Sequence, residues 1–229
     1  MANRVSLALP WLGAAAGAWL LAGGGHRRSA GLATLGASLG MGLARWQLQR
    51  LVTERTAYDL QAKLGQIQLR KYPAQVWAET LVEEATWNEA LSEGFSRLAD
   101  YLFGRNAAKE RLTMTAPVLS TLASGADAGR ATARTMAFVM PGDRELASLP
   151  APDDPRVRLR VVPERLVAVL AFRGNYASRL PSQKREELIT RLADAGFVTR
   201  GSAWFAGYDP PSTLPPLRRN EIMIELADL

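Results

Sequence analysis

The side chains that most often carry nucleophilic, acid–base or metal chemistry are nearly missing from this chain. Among 229 residues there is no cysteine and a single histidine, His26. Without cysteine there is no thiol nucleophile, no thiolate metal site and no disulfide framework. The acidic pairs Glu83-Glu84 and Asp153-Asp154 are sequence neighbours whose carboxylates point to different sides. Neither pair offers the opposed acid and base that proton transfer needs. No glycine-rich loop follows a strand at the spacing that cradles phosphate, since Gly23 to Gly25 falls in an apolar stretch. This inventory suits binding better than catalysis.

The charge is just as selective. The formal charge of +6 and the isoelectric point near 10.0 would suit a nucleic-acid binder. Up to residue 56, however, Arg4, Arg27, Arg28, Arg45, Arg50 and Arg55 face only Glu54, and the remaining 22 basic residues face 21 acidic ones. Arg156, Arg158 and Arg160 alternate with Val157, Leu159 and Val161, as on a two-sided strand. Tracking a phosphate backbone needs a clustered positive surface, so no nucleic-acid partner is expected.

The front end is apolar. Val5 to Gly25 carries no charged residue and is long enough as a helix to cross a bilayer core of about 30 Å. After His26-Arg27-Arg28-Ser29 a second uncharged run, Ala30 to Ala44, is extended by Trp46. Residues 1–56 are therefore expected to be a membrane anchor and linker, with one crossing or a helical hairpin over 5–25 and 30–46, and residues 57–229 one domain. The arginine distribution places that domain on the cytoplasmic side of a bacterial-type inner membrane. A secretory signal cut near Gly23 to Gly25, followed by export, is the alternative.

Beyond residue 57, Ile67 to Tyr72 alternates at period two and stops at Pro73, and Val76 to Val82 follows as a second strand, predicting a hairpin. Thr86-Trp87-Asn88-Glu89 has the capping-box spacing, which predicts a helix from Trp87 to about Phe103 with Gly104 as its stop. Leu112 to Leu119 reads as a strand with Pro117 at an edge or bulge, and Ser124 to Arg130 as a loop. Strands over Arg134 to Met140, Val157 to Val162 and Leu166 to Phe172 precede a second helix, with Ser182 as N-cap and Gly196 as stop. Trp204 to Tyr208 and Glu221 to Leu226 are the last strands. The order strand-strand-helix-strand-strand, given twice, predicts an α+β, mostly antiparallel architecture.

The blocks Leu69-Arg70-Lys71-Tyr72, Val76-Trp77-Ala78-Glu79-Thr80, Gly94 to Gly104 and Met114-Thr115-Ala116-Pro117-Val118 resemble the SOUL haem-binding protein family. So do Phe138-Val139-Met140-Pro141, Phe172-Arg173-Gly174 and Tyr208 to Glu221, and the match spans roughly Tyr58 to Leu226. The resemblance implies a distorted antiparallel β-barrel with two helices, built from two similar halves, as in gyrase-inhibitor-like effector-binding domains. It also implies non-covalent haem or porphyrin binding, either through an axial histidine or in an apolar cleft beside the first helix.

Only the second mode is open to this chain, because His26 lies in the anchor. Affinity for haem and for metal-free porphyrin should then be similar. On the first helix Phe95, Leu98, Tyr101 and Leu102 are candidate ring contacts, with Arg97, Arg105 and Lys109 for the propionates. Each apolar residue among them would equally serve ordinary core packing. The proline-rich loop Pro210 to Arg219, with Leu217 and Arg218, would form a lip over that helix. Met114, Tyr72, Tyr101 or Tyr208 would be the residual iron ligands. The expected role is a membrane-tethered tetrapyrrole binder without catalysis or a metal site of its own. The alternative is a tethered protein-interaction domain that has lost the ligand, and a haem-modifying enzyme has the least support.

Overall fold

The computed structural model describes residues 54–83, 86–122, 133–176, 179–210 and 212–227. The candidate spans 5–25 and 30–46, the possible cleavage site and the loop Ser124 to Arg130 lie outside these residues. Among the described residues no helix is long and apolar enough to cross a membrane. The folded unit starts at Glu54. There β1 (Glu54–Arg55) pairs in parallel with β5 (Thr115–Ala116).

The first helix, α1 (Trp87–Leu102), forms for the local reasons its sequence suggests. The Thr86 hydroxyl accepts from the Glu89 backbone N–H at 3.3 Å, and the Glu89 carboxylate accepts from the Thr86 N–H at 3.2 Å. Leu98, Tyr101 and Leu102 are buried from its inner face, and Gly104, at φ +109°, ends it. The second helix, α2 (Leu180–Asp194), starts two residues before the expected cap Ser182. Arg179 is its N-cap without a side-chain hydrogen bond, because Pro181 suits the first turn, where no backbone donor is needed. Leu188 and Leu192 are fully buried beneath it. Each such leucine contributes about 1.5–3 kcal/mol of apolar burial.

Nine strands form one antiparallel sheet. They are β2 (Asp59–Leu64), β3 (Ile67–Tyr72), β4 (Gln75–Val82), β6 (Val118–Thr121), β7 (Arg134–Val139), β8 (Val157–Val162), β9 (Arg165–Arg173), β10 (Thr199–Gly207) and β11 (Arg219–Leu226). Their order is β2-β3-β9-β11-β10-β6-β7-β4-β8. The expected strand over Leu112 to Leu119 is two short pieces, since Pro117 has no N–H to give the ladder.

The expected β3–β4 hairpin does not form. The chain turns at Pro73 and the two strands part, β3 pairing β2 and β9 while β4 pairs β7 and β8. The order explains why. Exchanging β3 with β8, β4 with β9, β6 with β10 and β7 with β11 turns the eight-strand order from β3 to β8 into its own reverse. The two halves are thus related as expected, and the first strand of each is laid against the other half.

The sheet is open rather than a closed barrel: β2 and β8 end the order and no pairing joins them. It nevertheless curls. The helices cover one face, α1 over β4, β7 and β8 and α2 over β9, β10 and β11. Among the described residues no helix covers the opposite face, yet Val167, Val169, Ala137 and Ala206 are buried there. Strands far apart in the order meet across it: Arg165 of β9 donates to Gln75 of β4 at 3.0 Å, and Trp77 of β4 meets Trp204 of β10 edge-on at 5.2 Å.

Candidate functional site

Two residues apart on a helix are about 200° apart around its axis. Phe95 and Arg97 therefore face opposite flanks of α1, and their neighbours say which. Phe95 stands edge-on to Phe138 of β7 at 5.4 Å and remains 41% exposed. Arg97 donates to the Thr80 hydroxyl at 2.7 Å and the Leu81 carbonyl at 2.9 Å, both on β4. The single cleft expected beside the first helix is thus divided between two flanks.

On the outer flank, a hollow of about 410 Å³ is lined by Arg97, Asp100, Tyr101, Arg105 and the turn Asp153 to Arg156. It gathers Arg97 and Arg105 of the expected propionate partners, with Lys109 outside its lining, and each of the three already faces an acid. Arg105 lies 3.5 Å from Asp100, Lys109 2.7 Å from Asp153, and Arg97 is paired with Glu93. Hydrogen bonds from Arg156 hold the Asp154 carboxyl down at about 2. The Tyr101 hydroxyl donates to the Pro150 carbonyl at 3.1 Å, and burial pushes its pKa up to about 12. Leu98 and Leu102 are core residues buried beneath the helix.

On the inner flank, β6 lies between β7, which α1 covers, and β10, which α2 covers. This leaves the strip of sheet at β6 between the two helices. Trp87 meets Phe205 of β10 edge-on at 5.8 Å, and Tyr176 meets the same ring at 5.8 Å. A cation closes each end of this aromatic row: Arg134 lies 5.1 Å over Trp87, and Arg218 5.1 Å over Tyr176. Phe95 and half-buried Leu91, Met114 and Val118 extend the apolar lining along α1. The proline-rich loop bears exposed Leu214 and Leu217, and Arg218 Nε donates to Thr213 O at 2.6 Å. The loop reaches the aromatic row through Arg218, which stacks on Tyr176.

Two other candidate ligands are committed elsewhere. The Tyr72 hydroxyl accepts from Arg70 at 3.2 Å, and the Tyr208 hydroxyl donates to Glu221 at 2.7 Å. Both belong to a buried network in which Arg70 meets Glu221 through two bonds of 2.9 and 3.0 Å, with 1% and 0% of the side chains exposed. Burial alone would raise the Glu221 carboxyl, but Arg70, Arg219 and Tyr208 outweigh it and hold it below its usual range. Met114 packs against the core beneath α1. Among the described residues no cluster of His, Asp or Glu would hold a metal ion.

Sequence reasoning missed Trp87, Phe205, Tyr176 and Arg134 as site residues. Trp87 was visible only as a helix start, and nothing local in sequence joins it to residues 118 and 89 positions away.

Residues 53–225 match the family model described as SOUL heme-binding protein. "Heme-binding protein 2" of Mus musculus is 26% identical over 167 residues, covering 72% of this chain and 80% of that protein. The Homo sapiens protein of the same name is 27% identical over 161 residues, covering 70% and 78%. Among solved structures, the EcmrR C-terminal domain superposes with a TM-score of 0.56 at 13% identity, covering 73% of this chain and 100% of that one, a likeness of fold.

Proposed function

This chain belongs to the SOUL heme-binding protein family, and from that premise we propose that it binds a tetrapyrrole non-covalently in the groove between its two helices, without turning it over. The observation that carries this reading is the aromatic row of Trp87, Phe205 and Tyr176, continued by exposed Phe95. Flat conjugated rings gain from offset and edge contacts with such side chains beyond the area they bury. The aromatic lining suits a porphyrin ring; the hydroxyls of Tyr72, Tyr101 and Tyr208 are engaged elsewhere, which leaves Met114 and Tyr176 as the side chains of the groove that iron would have to use. On this reading binding is governed by the macrocycle and its acid groups rather than by the metal.

Titration of the full-length protein in detergent with hemin and with protoporphyrin IX tests this. Saturable binding of both with similar Kd is expected, and Phe95→Asp should weaken both. No Soret shift and no fluorescence quenching would sink the reading. That silence, in a protein whose circular dichroism is intact, would favour the protein-interaction alternative, for which exposed Leu214 and Leu217 are the starting surface.

The same proposal holds the domain at a membrane, on the cytoplasmic side, through residues 5–46, on the strength of their two uncharged runs. Retention in the membrane fraction after carbonate extraction is expected. A shortened soluble product would point instead to export after cleavage.

A further inference from the structure

We infer that Arg134, together with the indole N–H of Trp87, is the carboxylate anchor of this groove, so that the site selects planar conjugated acids over their neutral analogues. The inference rests on the tetrapyrrole reading and says which end of the ligand goes where. Arg134 opens β7 opposite Val82 and alternates with Met136 and Phe138, both of which pack beneath α1, so its side chain belongs to the helix-covered face. Its guanidinium lies 5.1 Å from the Trp87 ring centre. The Nε of Arg134 and the Nε1 of Trp87 are both buried without an acceptor.

A buried donor left unpaired pays the full cost of leaving water. Two of them in one stacked pair, one carrying a positive charge, are donors of the kind that a carboxylate satisfies. Among the described residues no carboxylate forms an ion pair with Arg134. Burial alone lowers its pKa, the direction expected of a cation without its counter-ion.

The other cations differ. Arg97 also leaves its Nε buried without an acceptor, but its guanidinium, like the side chains of Arg105 and Lys109, is matched with an acid (Glu93, Asp100 and Asp153), and Arg218 spends its Nε on a carbonyl of its own loop. The acid edge of the ligand therefore lies at the β7 end, with the rings running from Trp87 toward Phe205 and Tyr176.

The test compares protoporphyrin IX with its dimethyl ester, which keeps the ring and loses both charges. The wild-type protein should bind the free acid about tenfold more tightly than the ester. Arg134→Gln should bring the acid down to the ester's affinity without weakening the ester. Arg134→Lys, which keeps the charge but not the fork, should restore part of the preference. Equal affinity of the wild type for acid and ester overturns the anchor. So does a preference that survives Arg134→Gln, or one abolished by Arg105→Gln on the opposite flank. If neither pigment binds the wild type, the anchor falls together with the tetrapyrrole reading itself.

Discussion

Arg70 and Glu221 show what one pair of side chains contributes when the partners are 151 residues apart in sequence. With Arg219, Tyr208 and Tyr72 they join β3 to β11 inside the curl of the sheet. Removing one partner leaves the other buried and uncompensated, at a cost of roughly 3–5 kcal/mol. Glu221→Gln should therefore shift urea unfolding strongly at neutral pH. Because the folded carboxyl sits below its ordinary 4.5, Glu221 stabilises the protein above that value and stops doing so as pH falls through the lower folded value. Measured stability of the wild type should thus drop with acid below about pH 4.5, and the Glu221→Gln profile should be flatter there. Replacing both partners with apolar residues of similar size, as in Arg70→Met with Glu221→Leu, should be milder than either single change.

At the scale of elements, α1 is tied to its neighbours through Gly94. A β-carbon there would meet Met136 Sδ at 3.0 Å and Val82 Cγ2 at 3.2 Å, so Gly94→Ala should overpack the helix against β4 and β7 and cost about 1–3 kcal/mol in thermal unfolding. This helix was legible in the sequence because everything that makes it is local: the capping box, the apolar spacing and the stop at Gly104. Pairing was not. Tyr72-Pro73 reads as a hairpin turn until the partners of β3 and β4 are known, and the downstream ones lie 93 to 103 residues on for β3 and 52 to 87 for β4. The site suffered in the same way. That Phe95 and Arg97 oppose each other follows from helical geometry alone, yet which flank faces a groove depends on β6 lying between β7 and β10, an adjacency no local pattern records. The period-two alternation from Ile67 to Tyr72 puts Arg70 on the face opposite Leu69, but only the register brings Glu221 to it.

For the whole molecule, an open sheet has ends to protect. β2 exposes Leu60 and Leu64 along its free edge and sets Lys63 between them. A charge in that position discourages pairing with a second sheet. Lys63→Val should accordingly give concentration-dependent association in sedimentation velocity, while the monomer's circular dichroism stays unchanged. The exchange of β3 and β8 between the halves reaches further. Neither half can complete its own sheet, because its first strand has been lent away, so the two must fold together and the contacts that unite them are among the longest in sequence. A chain of half this length, meeting a copy of itself, would trade the same strands and build the same sheet about a true two-fold axis. Joining two such chains end to end leaves the exchange in place and frees the halves to differ, and the proposed groove uses that freedom: its two walls, α1 with Trp87 and the approach to α2 with Tyr176, carry different chemistry.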